Sequence, residues 1–301
     1  MTAPAVPLSE RGGPTARPVR RRFGWAWLGL GPFAIFSTLF LIIPTGYLIL
    51  GSLQDRTGAF TLANYAGLTD PTIVDAYGNS IEISLVTAIG GGIFGFLLAY
   101  SVILGGLPGF LRSALMTFSG VASNFAGVPL ALAFVFTLGR VGLMTLFLKE
   151  ALGIDVYGAG FTIYSKIGIE IVYLYFQFPL MVLIIAPAID GLKKEWREAS
   201  EVLGASSAQY WRRVALPILT PSLLGTVILL FGNSFGAQAT VYQLTSGLIR
   251  IVTIVISAQM RGDVLFNPNL GYALAMGMVV IMSVSIAVYS LLQRRSERWL
   301  R

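Results

Sequence analysis

The chain is organised by where charge is missing. Six long stretches hold no Asp, Glu, Lys or Arg, at residues 23–54, 83–111, 113–139, 171–189, 214–249 and 264–293, and every other charge-free run is shorter than fifteen residues. A helix needs about 20 mostly apolar residues to cross the hydrocarbon core, so the pattern predicts six membrane-spanning helices. The second and third runs are separated only by Arg112 and the short turn Leu107, Pro108, Gly109, Phe110, which makes those two helices antiparallel neighbours. Runs of 30 or more residues exceed one span, so parts of them are expected to be loop or interfacial structure.

Composition agrees with this reading. Of 301 residues, 55% are apolar and 12% charged, with a mean hydropathy of +0.76, whereas soluble domains carry about 25% charged residues. There is no Cys and no His. That removes thiol chemistry, disulfides, histidine-ligated zinc or haem and the Ser-His-Asp triad. The 21 Lys and Arg exceed the 14 Asp and Glu by 7, a surplus that points to nucleic acid or to membrane topology, and placement decides. With six spans both termini share one side. That side collects Arg11, Arg17, Arg20, Arg21, Arg22, Arg112, Lys193, Lys194, Arg197, Arg212, Arg213, Arg294, Arg295, Arg298 and Arg301, 15 of the 21 basic residues. By the positive-inside rule both termini are cytoplasmic. Residues 1–22, with four Pro, two Gly and five Arg, read as a disordered cytoplasmic tail; the competing reading, a cleaved signal peptide, calls for an apolar core of about 7–15 residues. Residues 294–301 form a basic cytoplasmic end.

On the outer side, residues 55–79 and 140–166 read as polar loops without catalytic character. The apolar piece 251–260, too short to span, reads as an interfacial or re-entrant helix ending in a turn at Arg261-Gly262-Asp263. The cytoplasmic segment 190–217 is longer than a turn requires and is patterned as helix. Trp196, Ala199, Val202 and Leu203 form an apolar stripe and Glu195, Glu198 and Glu201 an acidic edge. Gly204 ends that helix where a left-handed or tight backbone is wanted. Ser206 or Ser207 caps a second short helix, 208–214, which Pro217 and Pro221 hand to the next span.

The stretch E-A-S-E-V-L-G (residues 198–204), nine residues, then V-A-L-P (214–217) resembles the signature of binding-protein-dependent ABC importer permeases, E-A-A-x(3)-G-x(9)-I-x-L-P. Glu198, Ala199, Gly204, Leu216 and Pro217 fall on the pattern, while Ser200 replaces the second Ala and Val214 the Ile. Gly31-Pro32, Ile43-Pro44, Asn79-Ser80-Ile81 and Ser84-Leu85 also look like the corresponding segments of that family. The resemblance implies an all-α polytopic membrane protein of the MetI-like, type I importer kind, in a bacterial-type inner membrane, with six transmembrane helices (23–293) and a cytoplasmic coupling-helix hairpin (190–217). It implies docking of Glu198, Ala199, Ser200, Gly204, Val214, Leu216 and Pro217 on a separate cytoplasmic ABC ATPase dimer. It further implies a second permease subunit, identical or homologous, sharing one translocation path, and an extracytoplasmic substrate-binding protein. No G-x-x-x-x-G-K-[S/T] loop occurs in the chain, so nucleotide hydrolysis is expected in trans, with no cofactor, no metal and no nucleic acid. The stretch F-G-N-S-F-G-A-Q-A-T-V-Y-Q-L-T-S-G (231–247) looks more like the polyamine-type branch, with its iron, phosphonate and sulfate-related members, than the sugar branch.

Each assignment has a plainer alternative. Glu198 also reads as a solvated charge, Gly204 as an ordinary C-cap, and Trp196, Val202 and Leu203 as buried against the chain's own helices or the headgroups. Glu82 and Glu170 read as snorkelling interfacial carboxylates, Tyr173, Tyr175, Phe176 and Phe178 as packing and belt, and Gly90, Gly91, Gly92 and Gly95 as a close helix approach. Asn233, Ser234, Gln238 and Thr240 form the densest polar cluster inside any charge-free run and are expected to line the substrate path, unless the helix has already ended there. The runner-up class is a secondary transporter or channel driven by an ion gradient, which would ordinarily carry intramembrane ionisable groups; an intramembrane enzyme lacks His, Cys and paired buried carboxylates.

Overall fold

The computed structural model describes residues 26–261 and 266–297. The tail 1–22, the turn residues Gly262 and Asp263 and the final residues 298–301 lie outside them. Among the described residues there is no strand beyond an isolated antiparallel bridge, Gln54 with Phe60, and six helical segments are long and apolar enough to cross a membrane: Gly29–Ser52, Pro71–Leu104, Val128–Leu152, Lys166–Asp190, Ser207–Gly236 and Pro268–Arg294.

The chain divides into two units, Met1–Tyr47 and Leu48–Arg301. In the first, α1 (Ala26–Ser37) passes through a π-helical turn (Thr38–Ile42) into α2 (Ile43–Ser52). Pro44 explains the π-turn, because proline has no N–H and its ring collides with the carbonyl four residues back, at Phe40. Widening the helix there accommodates the ring without a break.

The second unit starts with the end of α2 and contains the remaining elements: α3 (Ala63–Ala66), α4 (Pro71–Leu104), α5 (Gly109–Asn124), α6 (Val128–Leu138), α7 (Leu143–Leu152), α8 (Lys166–Asp190), α9 (Lys194–Val202), α10 (Ser207–Tyr210), α11 (Leu216–Gly236), α12 (Ala239–Thr245), α13 (Val252–Arg261) and α14 (Pro268–Glu297). The long α4 begins twelve residues before its charge-free run because the local signals demand it: Asp70 caps with its carboxylate on the Thr72 N–H at 2.8 Å, and Pro71 occupies the first turn. At α8 the Ser165 hydroxyl accepts from the Gly168 N–H at 3.2 Å.

Two parallel helices, α4 and α8, form the centre. Their contact depends on glycine: a Cβ at Gly91 would sit 2.6 Å from the Gln177 Cβ, and one at Gly95 would sit 2.5 Å from the Met181 Cβ and from the Phe178 carbonyl oxygen. Helices that close exchange dispersion contacts along their whole length, which is how spans associate where no water drives them together. The antiparallel α5 lies along α8, and α11 lies against α4, α8 and α14. Ion pairs mark the two ends, Arg112 with Asp190 at 2.7 Å where α5 begins and α8 stops, and Lys166 with Glu82 at 2.8 Å where α8 begins. The latter pair gives Glu82 a partner that the reading as a lone snorkelling carboxylate lacked.

Three expectations need correction. The run 113–139 is not one helix but two, α5 and α6, interrupted at Phe125, Ala126 and Gly127; Gly127, at a positive φ of +76 that favours glycine, precedes the first turn of α6, where Pro129 sits. The outer segment 140–166 is not simply a polar loop, since its apolar run forms α7, capped at Gly153. The helix expected at 208–214 is a single turn, α10, continuing through a second π-turn (Trp211–Ala215) into α11. Pro217 therefore does not end that helix; Arg213, its fourth predecessor, lies in the π-turn, the same solution as at Pro44.

Candidate functional site

The helical hairpin α9–α10 projects from the end of the second unit that holds Arg112 and Asp190. α9 closes through bonds from the Leu203 N–H to the Ala199 carbonyl at 3.1 Å, from the Gly204 N–H to Glu201 at 2.9 Å and from the Ala205 N–H to Ser200 at 2.9 Å. This leaves Gly204 at φ +74 with open space where a Cβ would be. The glycine is therefore required for its backbone conformation and not for tight packing. Ser206 then forms a reciprocal capping box with Gln209. Val202 and Leu203, at the tip, are 87% and 85% exposed, so the alternative that they are buried by the chain's own helices does not hold. Trp196 is half-buried, with the Lys193 ammonium 5.8 Å from its ring centre. Glu198 is exposed and lies on the face of α9 that looks back towards Tyr100 and Trp211. Val214, Leu216 and Pro217 form the root of α11, about 12 residues from the tip, and Ala215 between them is fully buried. The first half of the motif thus lies at the hairpin tip and its second half at the root of α11.

Farther along, two interrupted helices meet. The break between α5 and α6 is tied to the start of α12, where the Gly127 N–H donates to the Thr240 hydroxyl at 2.9 Å. The break between α11 and α12 exposes the Ala237 carbonyl, which accepts from the Tyr173 hydroxyl at 2.9 Å. Buried polar groups continue the network: Thr87 with Ser234 at 2.9 Å, the Gln177 carboxamide N–H to the Leu230 carbonyl at 2.8 Å and the Val252 N–H to the Ser80 hydroxyl at 2.9 Å. A backbone group freed inside the packed bundle needs a partner within the protein, and these side chains supply it. Gln177 Oε1, fully buried, has no partner among the described residues.

The four polar residues singled out on the fifth run separate accordingly. Asn233 is exposed on α11; Ser234 and Thr240 are buried and bonded; Gln238 exchanges hydrogen bonds with Ser257 of α13 at 2.8 and 3.2 Å. Sequence reasoning missed Gln177, alone in its apolar run, and Thr87, which follows Ser80 and Ser84 on α4; both gain meaning only when α8 and α4 bring them to α11. It also missed the exposed face of α5, where Ser113, Thr117 and Asn124 recur at helical spacing.

The described residues form a charge-poor helical bundle with an exposed hairpin of mixed polar and apolar character. Comparison with known proteins makes the class specific. Residues 91–301 match the family model described as "Binding-protein-dependent transport system inner membrane component", and the chain belongs to that family. It is the multi-pass membrane permease of an importer that depends on a binding protein. It is 31% identical to the sulfate transport system permease protein CysT of Salmonella typhimurium over 210 residues, 69% of this chain and 71% of that protein. It is 30% identical to a probable sulfate transport system permease protein of Prototheca wickerhamii over 181 residues, 60% of this chain and 67% of that protein. The fold is shared with a solved bacterial ABC transporter for the import of alginate, with a TM-score of 0.70 at 17% identity, covering 90% of this chain and 95% of that one.

Proposed function

We propose that this permease subunit carries sulfate, or a closely similar tetrahedral oxyanion, from an external binding protein across the membrane, driven by an ATPase docked on the α9–α10 hairpin. The observation that carries the substrate is the 31% identity, across 69% of the chain, to a sulfate permease. Chemistry supports the choice over a polyamine. A polycation wants carboxylates or aromatic cages at mid-membrane, whereas of the carboxylates in the described spans Asp75, Glu150, Glu170 and Asp190 lie towards helix ends and Glu82 is paired with Lys166. The exposed polar groups near the breaks, Asn124 on α5 and Asn233 on α11, are neutral amides. Such groups bind an anion by hydrogen bonds without the charge pairing that would hold it too tightly to leave.

Docking on the hairpin is supported by the exposed Val202 and Leu203 at its tip and by the matched spacing of Glu198, Ala199, Ser200, Gly204, Val214, Leu216 and Pro217. The 15 to 6 division of basic residues supports placing that hairpin in the cytoplasm. The test is ATP-dependent uptake in proteoliposomes holding the assembled transporter and its binding protein. Radiolabelled sulfate is expected to accumulate and excess spermidine to leave it unchanged; spermidine uptake without sulfate uptake would overturn the assignment.

A further inference from the structure

Where α4, α8 and α11 converge beside the interruption of α11, a small cavity is bordered by four hydroxyl groups, those of Ser80 and Ser84 on α4, Tyr173 on α8 and Ser234 on α11. Each of these residues is at most 4% exposed, and the other side chains on the wall are apolar. The space open to a water-sized sphere is about 10 Å³, at the lower end of the roughly 10–15 Å³ that one water molecule needs. The hydrogen bonds already made decide what such a cavity can hold. Ser84 donates to the Ser80 carbonyl at 2.6 Å and Tyr173 to the Ala237 carbonyl at 2.9 Å. The Thr87 hydroxyl donates to the Ile83 carbonyl at 2.7 Å, so in its 2.9 Å contact with Ser234 it is the acceptor and Ser234 the donor. Ser84, Tyr173 and Ser234 have therefore spent their protons and keep only lone pairs. Ser80 is the reverse case. Its oxygen accepts from the Val252 N–H at 2.9 Å, and its own proton has no acceptor among the described residues.

We propose that this cavity is a binding site for one internal water molecule, which accepts from Ser80 and donates to two of Ser84, Tyr173 and Ser234. One donor facing three acceptors is the complement of a molecule with two protons and a free lone pair, and a buried water ordinarily makes about three such bonds. The same count excludes a tetrahedral oxyanion such as sulfate, which brings lone pairs only and would meet more of them. No carboxylate borders the cavity, so a divalent cation finds no charge to replace its hydration. An apolar occupant would leave the Ser80 proton unpaired in a buried site. Through this water α4, α8 and α11 share one hydrogen-bonded junction. It lies about one helical turn before the point where α11 gives way and Tyr173 takes up the freed Ala237 carbonyl. Any movement of α11 away from α4 has to break these bonds together with the direct one between Thr87 and Ser234. The water thus belongs to the contacts that hold the interrupted helix in place, whichever solute the permease carries.

The experiment is hydroxyl-radical footprinting of the purified, assembled transporter, in which an X-ray pulse makes radicals from water and mass spectrometry locates the oxidised side chains. Bulk radicals do not reach deeply buried residues, whereas a water held in the cavity produces them in place. Tyr173 and Phe235, 1% and 2% exposed and both on the cavity wall, should therefore be oxidised. Met181 should stay protected: it is readily oxidised, but it is fully buried farther along α8 and is not on the wall. Ser84→Val fills the space with methyl groups and should abolish oxidation at Tyr173 and Phe235, with Met181 still protected and Phe60, 74% exposed, oxidised as in the wild type. Ser84→Thr adds a methyl while keeping the hydroxyl bond to the Ser80 carbonyl, and it should show the same loss even if the valine variant is too disturbed to protect Met181. Protection of Tyr173 and Phe235 in the wild type, their continued oxidation in a filled variant that still protects Met181, or oxidation of Met181 in the wild type as fast as Tyr173 would each overturn the proposal.

Discussion

Replacing Gly95 by Ala tests the packing on which the bundle depends, and Gly90 on the same helix is the internal control. The new methyl at position 95 would lie 2.5 Å from both the Met181 Cβ and the Phe178 carbonyl oxygen, against about 3.5–4.0 Å for comfortable carbon contacts. Neither neighbour can swing away, because both are fixed to the α8 backbone, so α4 and α8 must separate by about an ångström. Overpacking of this kind costs about 1–3 kcal/mol. At Gly90 the nearest atom is the Leu174 Cδ2 at 3.0 Å, the free end of a side chain that can change rotamer. Both substitutions gain the same helix propensity, about 0.8–1 kcal/mol, so their difference isolates the clash. At about 2–4 °C per kcal/mol, Gly95→Ala should melt roughly 2–12 °C below Gly90→Ala when thermal unfolding of the purified transporter is followed by intrinsic fluorescence. Equal melting temperatures would refute the argument that these glycines set the helix separation.

Three further outcomes follow from the same geometry. Gly204→Asp forces a side chain into a left-handed backbone at a cost of about 1–2 kcal/mol and adds charge at the hairpin tip, so sulfate uptake should fall to background while membrane insertion, read by fluorescence of a fused reporter, persists; Glu198→Ala should lower uptake less. Asn233→Leu should reduce uptake or alter oxyanion selectivity without lowering thermal stability, because Asn233 is exposed, whereas Gln238→Leu should lower stability because it strands Ser257; a Gln238→Leu protein as stable as wild type would contradict that division. On this Cys-free background, Cys placed at Phe60 or Leu248 should react with an impermeant reagent added outside intact cells and Cys at Glu195 should not, and the reverse pattern would invert the topology.

Five of the spans were legible because charge is excluded from the hydrocarbon core, whereas the third, Val128–Leu152, was misplaced because it contains Arg140, Lys149 and Glu150. The hairpin was legible too, since Trp196, Ala199, Val202 and Leu203 keep helical spacing in a segment too polar to enter the membrane. The interruptions were not. Gly127 and Pro129 lie in an apolar run without a charge to mark a boundary, and the bond that ties the break down, from the Gly127 N–H to Thr240, reaches 113 positions along the chain. Gln177 was hidden for the same reason: a lone amide in an apolar run has no local signature, and its partner, the Leu230 carbonyl, is a backbone atom that no side-chain pattern reports. Path-lining residues were harder still, because whether Asn233 or Ser234 faces outward depends on a rotation of α11 set by its contacts with α4 and α8.

The most direct test of the coupling assignment places a photo-reactive amino acid at Val202, the most exposed large apolar residue of the hairpin tip, in the transporter assembled in native membranes, with a second probe at Leu248 on the opposite side as control. The account predicts that illumination joins the permease to its ATPase from position 202 and not from position 248, and that the yield changes when ATP is supplied together with sulfate-loaded binding protein. A probe at Val202 that captures only lipid or the partner permease, while the ATPase remains bound and active, would contradict it.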